Sequence, residues 1–255
     1  MQTKKSSIKN IYLGIKFAFS YFSIIPIKFK DNDNLAHQEV LATMLTTLPM
    51  VGFILSSITV ILYLTVEQLS WYGAVFSIIF YMLLYGFIHT EAIIDVVDAT
   101  YAKHSGKDAY IIIKEPTVGA IGVLYGTGLS LLKIAGIIYL LLNNYLLEFI
   151  AITMVSRFSL LVVIKINQFH SEFIQQLKES LSYKYIAISM IITIIIGLFL
   201  TPSFIYILIA GVALSIAIMQ LIKSKLGFLN GDALGATLEG VEILLPLLIV
   251  LLISR

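Results

Sequence analysis

Long apolar runs separated by short polar breaks dominate this chain. A membrane-crossing helix needs about 20 mostly apolar residues. Runs of that order lie near 42–66, 71–90, 119–142, 145–166, 185–200, 203–222 and 236–254. Thr201, Pro202 and Ser203 are the only break between the fifth and sixth of them. A further apolar stretch, Ile11 to Ile27, is shorter, carries Lys16 and ends at Pro26, which predicts an interfacial or half-inserted helix. The pattern therefore predicts an all-α polytopic membrane protein of about seven transmembrane helices plus an N-terminal interfacial or half-inserted helix. Residues 1–255 form one integral-membrane domain in this reading, with 1–41 as a cytoplasmic or interfacial segment.

The polar breaks alternate in charge. The short connections at Glu67 to Ser70, Asn143 to Asn144 and Thr201 to Ser203 lack Lys and Arg. The intervening ones carry Lys103, Lys107 and Lys114, then Lys178 and Lys184, then Lys223 and Lys225. Positive charge marks the cytoplasmic side, so loops 91–118, 167–184 and 223–235 are expected to face the cytoplasm. Lys4, Lys5, Lys9, Lys28 and Lys30 join them there if Ile11 to Ile27 does not cross. The expected location is the cell inner membrane, with the active site on the cytoplasmic face.

Composition agrees with that picture and narrows the chemistry. The chain is 59% hydrophobic and 13% charged, far more apolar than a soluble domain. Its mean hydropathy is +0.96. A net charge of +2 gives no support to a nucleic-acid partner. The absence of cysteine removes disulfides, thiolate metal sites and a cysteine nucleophile together. No short apolar region with a small-residue cleavage site follows the basic start MQTKKSSIKN, so no secretory signal is expected.

Against this apolar background, HTEAIIDVVDA at His89 to Ala99 gathers three acids in eight residues. On a helix, Glu91, Asp95 and Asp98 fall within about 60° of one face, and His89 points elsewhere. Carboxylates this close raise one another's pKa unless a cation sits between them. Mg²⁺ suits such a cluster, because it takes oxygen ligands and is commonly held by one or two carboxylates plus substrate phosphates. The competing reading is a solvated helix end paired with Lys103 and Lys107.

Two further features bear on that choice. A helix beginning near Asp232 in GFLNGDALGATLEGVE puts Asp232, Gly235, Ala236 and Glu239 on one stripe, although Asp in NGD is also an ordinary helix cap. Lys133 lies about 21 Å along its helix from Gly119, and Arg157 lies about 14 Å in from the end of the next span. Each is costly at that depth without a partner or water. Glu148 is a candidate partner for one of them. Otherwise the two describe a polar cavity with acids at its rim and fixed positive charge below, suited to a metal and a polyanion.

These residues also resemble a known family, the cobalamin synthases or adenosylcobinamide-GDP ribazoletransferases. HTEAIIDVVDA aligns without gaps to that family's HxDGLxDTxDG stretch. IKEPTVGAIG at Ile113 to Gly122 matches its MxDSxxGTxG-like element. Lys133 and the Ser-Arg pair of VSRFSLLV match a lysine in the third helix and a Ser-Arg pair in the fourth. GDALGATLE at Gly231 to Glu239 matches a GDxLGAxxE stretch. Order and separation agree across most of the chain. In departure from the family, Glu91 stands for the usual first Asp, Ala92 and Ala99 stand for glycines, and Glu115, Pro116 and Thr117 replace Asp, Ser and a basic residue.

The resemblance implies a Mg²⁺-dependent transferase. It would join adenosylcobinamide-GDP to α-ribazole, or its 5′-phosphate, forming adenosylcobalamin, or its phosphate, and releasing GMP. On this reading Asp95 and Asp98 hold Mg²⁺ on the diphosphate with Glu91 in support, and Asp232 and Glu239 complete the metal site or accept the nucleophile's proton. Lys114, Lys133 and Arg157 neutralise phosphate, His89 contacts substrate or caps its helix, and Asn230 and Gly231 are candidate substrate contacts. Membrane lipid is an expected partner, and a homo-oligomer or association with other corrinoid-pathway enzymes is compatible with the small residues of YGTGLSLLKIAG. Two rivals stand beside this reading. DVVDATYAK approximates the first half of the CDP-alcohol phosphotransferase signature, but Ile112 occupies its glycine position and its later aspartates are absent. A secondary transporter of an anionic solute could also bury Lys133 and Arg157.

Overall fold

A computed structural model describes residues 2–253, and the described residues contain helices and no strand. The helices are α1 (Gln2–Phe22), α2 (Gln38–Val66), α3 (Trp71–Leu84), α4 (Ile88–His104), α5 (Ala109–Ile112), α6 (Ala120–Leu142), α7 (Leu146–Ile166), α8 (Glu172–Ser180), α9 (Tyr183–Leu200), α10 (Phe204–Leu226) and α11 (Gly231–Ile253). Six of them are long and apolar enough to cross a membrane: α2, α6, α7, α9, α10 and α11. A seventh crossing is obtained when α3 and α4, bent 80° to one another, are counted as a broken span. The chain is an integral multi-pass membrane protein. α1 is not among the crossing helices. It lies against α2, where Ser7 and Asn10 donate to Glu39, the latter over 2.8 Å. The side chains of Lys4 and Lys5, part of the expected N-terminal charge, lie outside the described residues.

The expected run at 71–90 needs one correction. Its helix stops at Leu84, where Gly86 takes φ 64° and Phe87 φ 54°. The left-handed conformation costs glycine nothing, and with Phe87 beside it the helical ladder cannot continue. α3 is thus about 21 Å long, short of the roughly 30 Å hydrocarbon layer. The charged helix α4 turns away from the crossing direction. The expected loops also hold more order than their polarity predicts: 91–118 contains most of α4 and all of α5, and 167–184 contains α8.

α7 is the central post. From Phe149 to Leu161 every side chain is buried, and the helix packs chiefly against α2, α10, α11 and α9, with α6 and α8 also touching it. α9 lies at the rim and exposes Ile191, Ile195, Leu198 and Phe199, the apolar exterior expected against lipid. The three charged loops meet at one end of the bundle. Lys103 donates to the carbonyls of Lys225 and Leu226, and the His170 amide donates to the Leu229 carbonyl over 2.8 Å. Lys103 therefore closes the C-terminus of α10 and does not pair with the acids of its own helix.

Candidate functional site

α4 and α11 build the acidic site by close approach. A β-carbon placed on Gly235 would lie 2.6 Å from that of Ala92, so only glycine on α11 lets the two helices pack at this distance. The contact brings Asp232, in the first turn of α11, toward the acidic face of α4. Glu91 is exposed there, and Asp95 and Asp98 are half-buried. Among the described residues none of Glu91, Asp95, Asp98 or Asp232 makes a salt bridge. Burial first, then the charges of Asp232, Glu91 and Asp98, pushes the Asp95 carboxyl up to about 6. On α1, burial and the charge of Asp232 raise the Tyr21 hydroxyl above its usual value.

Asp98 has a structural task. Its two oxygens accept from the amides of Gly119 and Gly122, the second over 2.7 Å. It therefore holds the N-terminus of α6 against α4, where an acid also complements the helix dipole. Asn230 is a cap as well. Its Oδ1 accepts from the Ala233 amide at 3.1 Å, while its Nδ2 donates to Asp232 at 2.6 Å.

Two cavities adjoin this acidic surface. A polar one of about 920 Å³, counting its open mouth, is bordered by Tyr110, Lys114, His170, Asn230, Gly231 and Asp232. Lys114 extends there with its ammonium 3.9 Å from the Tyr110 ring centre. The other is mainly apolar and is bordered by His89, Gly231 and Asp232 among others. Gly231 and Asp232 line both. His89 does not cap its helix, whose N-cap is Phe87; it is buried and stacked on Tyr85 at 5.6 Å.

Lys133, Arg157 and Glu239 are placed apart from this acidic end, in a buried network. Lys133 lies 2.7 Å from both Glu239 and Glu242, and Arg157 lies 2.6 Å from Glu242. Tyr81 donates to Glu242, Tyr85 donates to Glu239 at 2.8 Å, and Ser156 donates to Glu242 at 2.9 Å. All four charged side chains are at most 2% exposed, and their two positive and two negative charges balance. Glu148, the expected partner, instead lines a separate cleft with Ser203 and Tyr206. Glu242 was the residue to find. An acid three positions after Glu239 in an apolar helix, beside two intramembrane cations lacking a partner, is the signal for it.

Among the described residues no group of three or more His, Asp or Glu side chains is arranged to hold a metal ion unaided. The donor set nonetheless fits Mg²⁺ bound jointly by protein and substrate. Glu91, Asp95 and Asp232 supply hard oxygens with no protein cation among them, and Mg²⁺ ordinarily completes its shell with water and phosphate.

Comparison with known proteins gives this geometry a family. The family described as cobalamin-5-phosphate synthase matches residues 14–251. The chain is similar to an adenosylcobinamide-GDP ribazoletransferase of Clostridium tetani, 27% identical over 81% of this chain and 84% of that one. A protein of the same name from Clostridium perfringens strain SM101 is 24% identical over 92% and 96%. Another from Picrophilus torridus is 34% identical over 45% and 41%. No solved structure matches. A match from Gly14 to Leu251 takes in α4, the buried network and the start of α11 together, and the chain belongs to the cobalamin-5-phosphate synthase family.

Proposed function

We propose that the protein joins adenosylcobinamide-GDP to α-ribazole, or its 5′-phosphate, giving adenosylcobalamin, or its phosphate, and GMP. The observation that carries this reading is the family match across nearly the whole chain, which includes every element of the acidic site. A free ribose hydroxyl of the acceptor, distinct from the 5′ position that carries the phosphate in the second acceptor, attacks the phosphorus on the cobinamide side of the diphosphate. A new P–O bond forms there, and the bond to the GMP oxygen breaks. Asp232 takes the hydroxyl proton in this scheme, because it borders both cavities and Glu239 is held by Lys133. Lys114, at the edge of the polar cavity, offsets phosphate charge. With Asp232 kept for the proton, Glu91 and Asp95 would hold Mg²⁺, which when bound offsets the charge of the diphosphate.

The lysine-rich connections favour a cytoplasmic orientation of this end, in the cell inner membrane, where nucleotide substrates are available. The family match disfavours a CDP-alcohol phosphotransferase and a transporter. The test is GMP release by the purified protein in liposomes, given adenosylcobinamide-GDP and α-ribazole with and without Mg²⁺. Asp95→Asn should lower turnover by on the order of 10²-fold or more while the fold persists. A metal-independent rate, or an undiminished variant, would remove the acidic site from the chemistry.

A further inference from the structure

The first helix and the segment that returns from it enclose a basic pocket apart from the acidic site. Lys9, Tyr12, Leu13 and Lys16 are spaced i, i+3, i+4 and i+7, so they share one stripe of α1, and residues 28–33 close the opposite side. Counting its open mouth the pocket measures about 920 Å³. Lys9, Lys16, Lys28 and Lys30 all line it. Lys9 pairs with Asp33 at 3.1 Å, which neutralises the one acid in the lining. Among the described residues Lys16, Lys28 and Lys30 make no salt bridge. The Lys16 ammonium reaches across to donate to the Lys28 carbonyl over 2.6 Å and lies 4.8 Å from the Phe29 ring centre. Three like charges gathered around one pocket repel one another, and an anion relieves them.

Depth and the adjoining surface identify that anion. Ser7 and Asn10 of α1 donate to Glu39 in the first turn of α2, and the apolar run of α2 begins at the next residue. The pocket therefore stands at the level of the lipid head groups. Beside the lysine stripe, α1 exposes Ile8, Ile11, Tyr12 and Ile15, which also fall on one helical face. A helix with lysines flanking such a face lies in the membrane interface and is drawn to anionic lipid. We propose that the pocket is a head-group site for an anionic phospholipid. Lys16, Lys28 and Lys30 meet its phosphate, and its acyl chains run along Ile8, Ile11 and Ile15. A free phosphate ester would satisfy the lysines, but it would leave the adjoining apolar face unused. The site stands apart from the acidic site and does not depend on the reaction carried out there.

Fluorescence quenching tests the site directly. Trp71, the chain's single tryptophan, lies at the start of α3, after a connection that lacks lysine and arginine. In a Trp71→Phe background, Tyr12→Trp places the fluorophore in the pocket. The protein is reconstituted in phosphatidylcholine vesicles in which brominated phosphatidylglycerol or brominated phosphatidylcholine replaces an equal fraction of the lipid. Brominated phosphatidylglycerol should bind about fivefold more tightly at position 12, the scale of one lysine's attraction to an anionic surface. Added salt should lower that preference, and Trp71 of the unaltered protein should show none. Lys16→Gln, Lys28→Gln and Lys30→Gln combined should abolish it, whereas arginine at the three positions should keep it. Because the chain has no cysteine, Asn32→Cys carrying bimane repeats the comparison from the other wall with Tyr12 intact. Equal quenching by the two lipids at both probes, the same preference at Trp71, or a preference that survives the glutamine variant overturns the head-group site. Displacement of the lipid by glycerol phosphate in the aqueous phase overturns the lipid assignment and leaves a site for free phosphate esters.

Discussion

At the scale of single residues, the site separates into groups left for a ligand and groups already engaged. Among the described residues Asp95 and Asp232 lack a cationic partner, whereas Lys133 is committed to Glu239 and Glu242. Breaking a buried ion pair from one side leaves a lone charge and typically costs about 3–5 kcal/mol. Lys133→Met should therefore lower thermal stability in detergent on that scale. Adding Glu239→Gln should restore most of it, because the Arg157–Glu242 pair then remains balanced. If the double variant is stable and still releases GMP, Lys133 holds the fold and takes no part in phosphate binding. The acids of HTEAIIDVVDA were legible in the sequence because charge is rare there. The engagement of Lys133 was not, because Glu242 sits in the same apolar run as Glu239 and gains its meaning only when α6, α7 and α11 are packed.

At the scale of helices, hydropathy located every crossing segment to within a few residues, since a 20-residue apolar run has few alternatives in lipid. It missed the elbow between α3 and α4. Tyr85, Gly86 and Phe87 look apolar, and their backbone conformation leaves no trace in hydropathy. The elbow decides where the acids go, because it lays α4 across the start of α11 at the Ala92–Gly235 contact. Gly235→Ala puts two methyl groups in one place and should cost about 1–3 kcal/mol, with a matching fall in activity. Moving the methyl across, as Ala92→Gly with Gly235→Ala, should recover much of both. Thermal unfolding and GMP release on the three variants measure this. Ala92, a departure from the family's glycine, thus shares its contact with a glycine on the facing helix.

For the whole molecule, the meeting of three lysine-bearing loops at one end predicts a single orientation. In sealed vesicles of known sidedness, Lys107→Cys and Ser70→Cys should react with an impermeant thiol reagent from opposite sides. Reaction of both from one side would mean that α3 does not cross. Sequence charge alone suggested this arrangement. What it left open was whether the deep cations belonged to a conduit, since an unpartnered Lys and Arg read the same way in an enzyme and in a carrier.

The balance within the buried network has one more consequence, an electrical one. A net elementary charge moving across a polarised bilayer couples to the field by about 2.3 kcal/mol per 100 mV. Lys133, Arg157, Glu239 and Glu242 sum to zero and are tied to one another, so their cluster is a poor gating charge and a poor proton wire. A diffusion potential imposed with potassium and valinomycin should leave the rate of GMP release unchanged. The protein would then use the membrane as a scaffold, and its output would be independent of how energised the cell is.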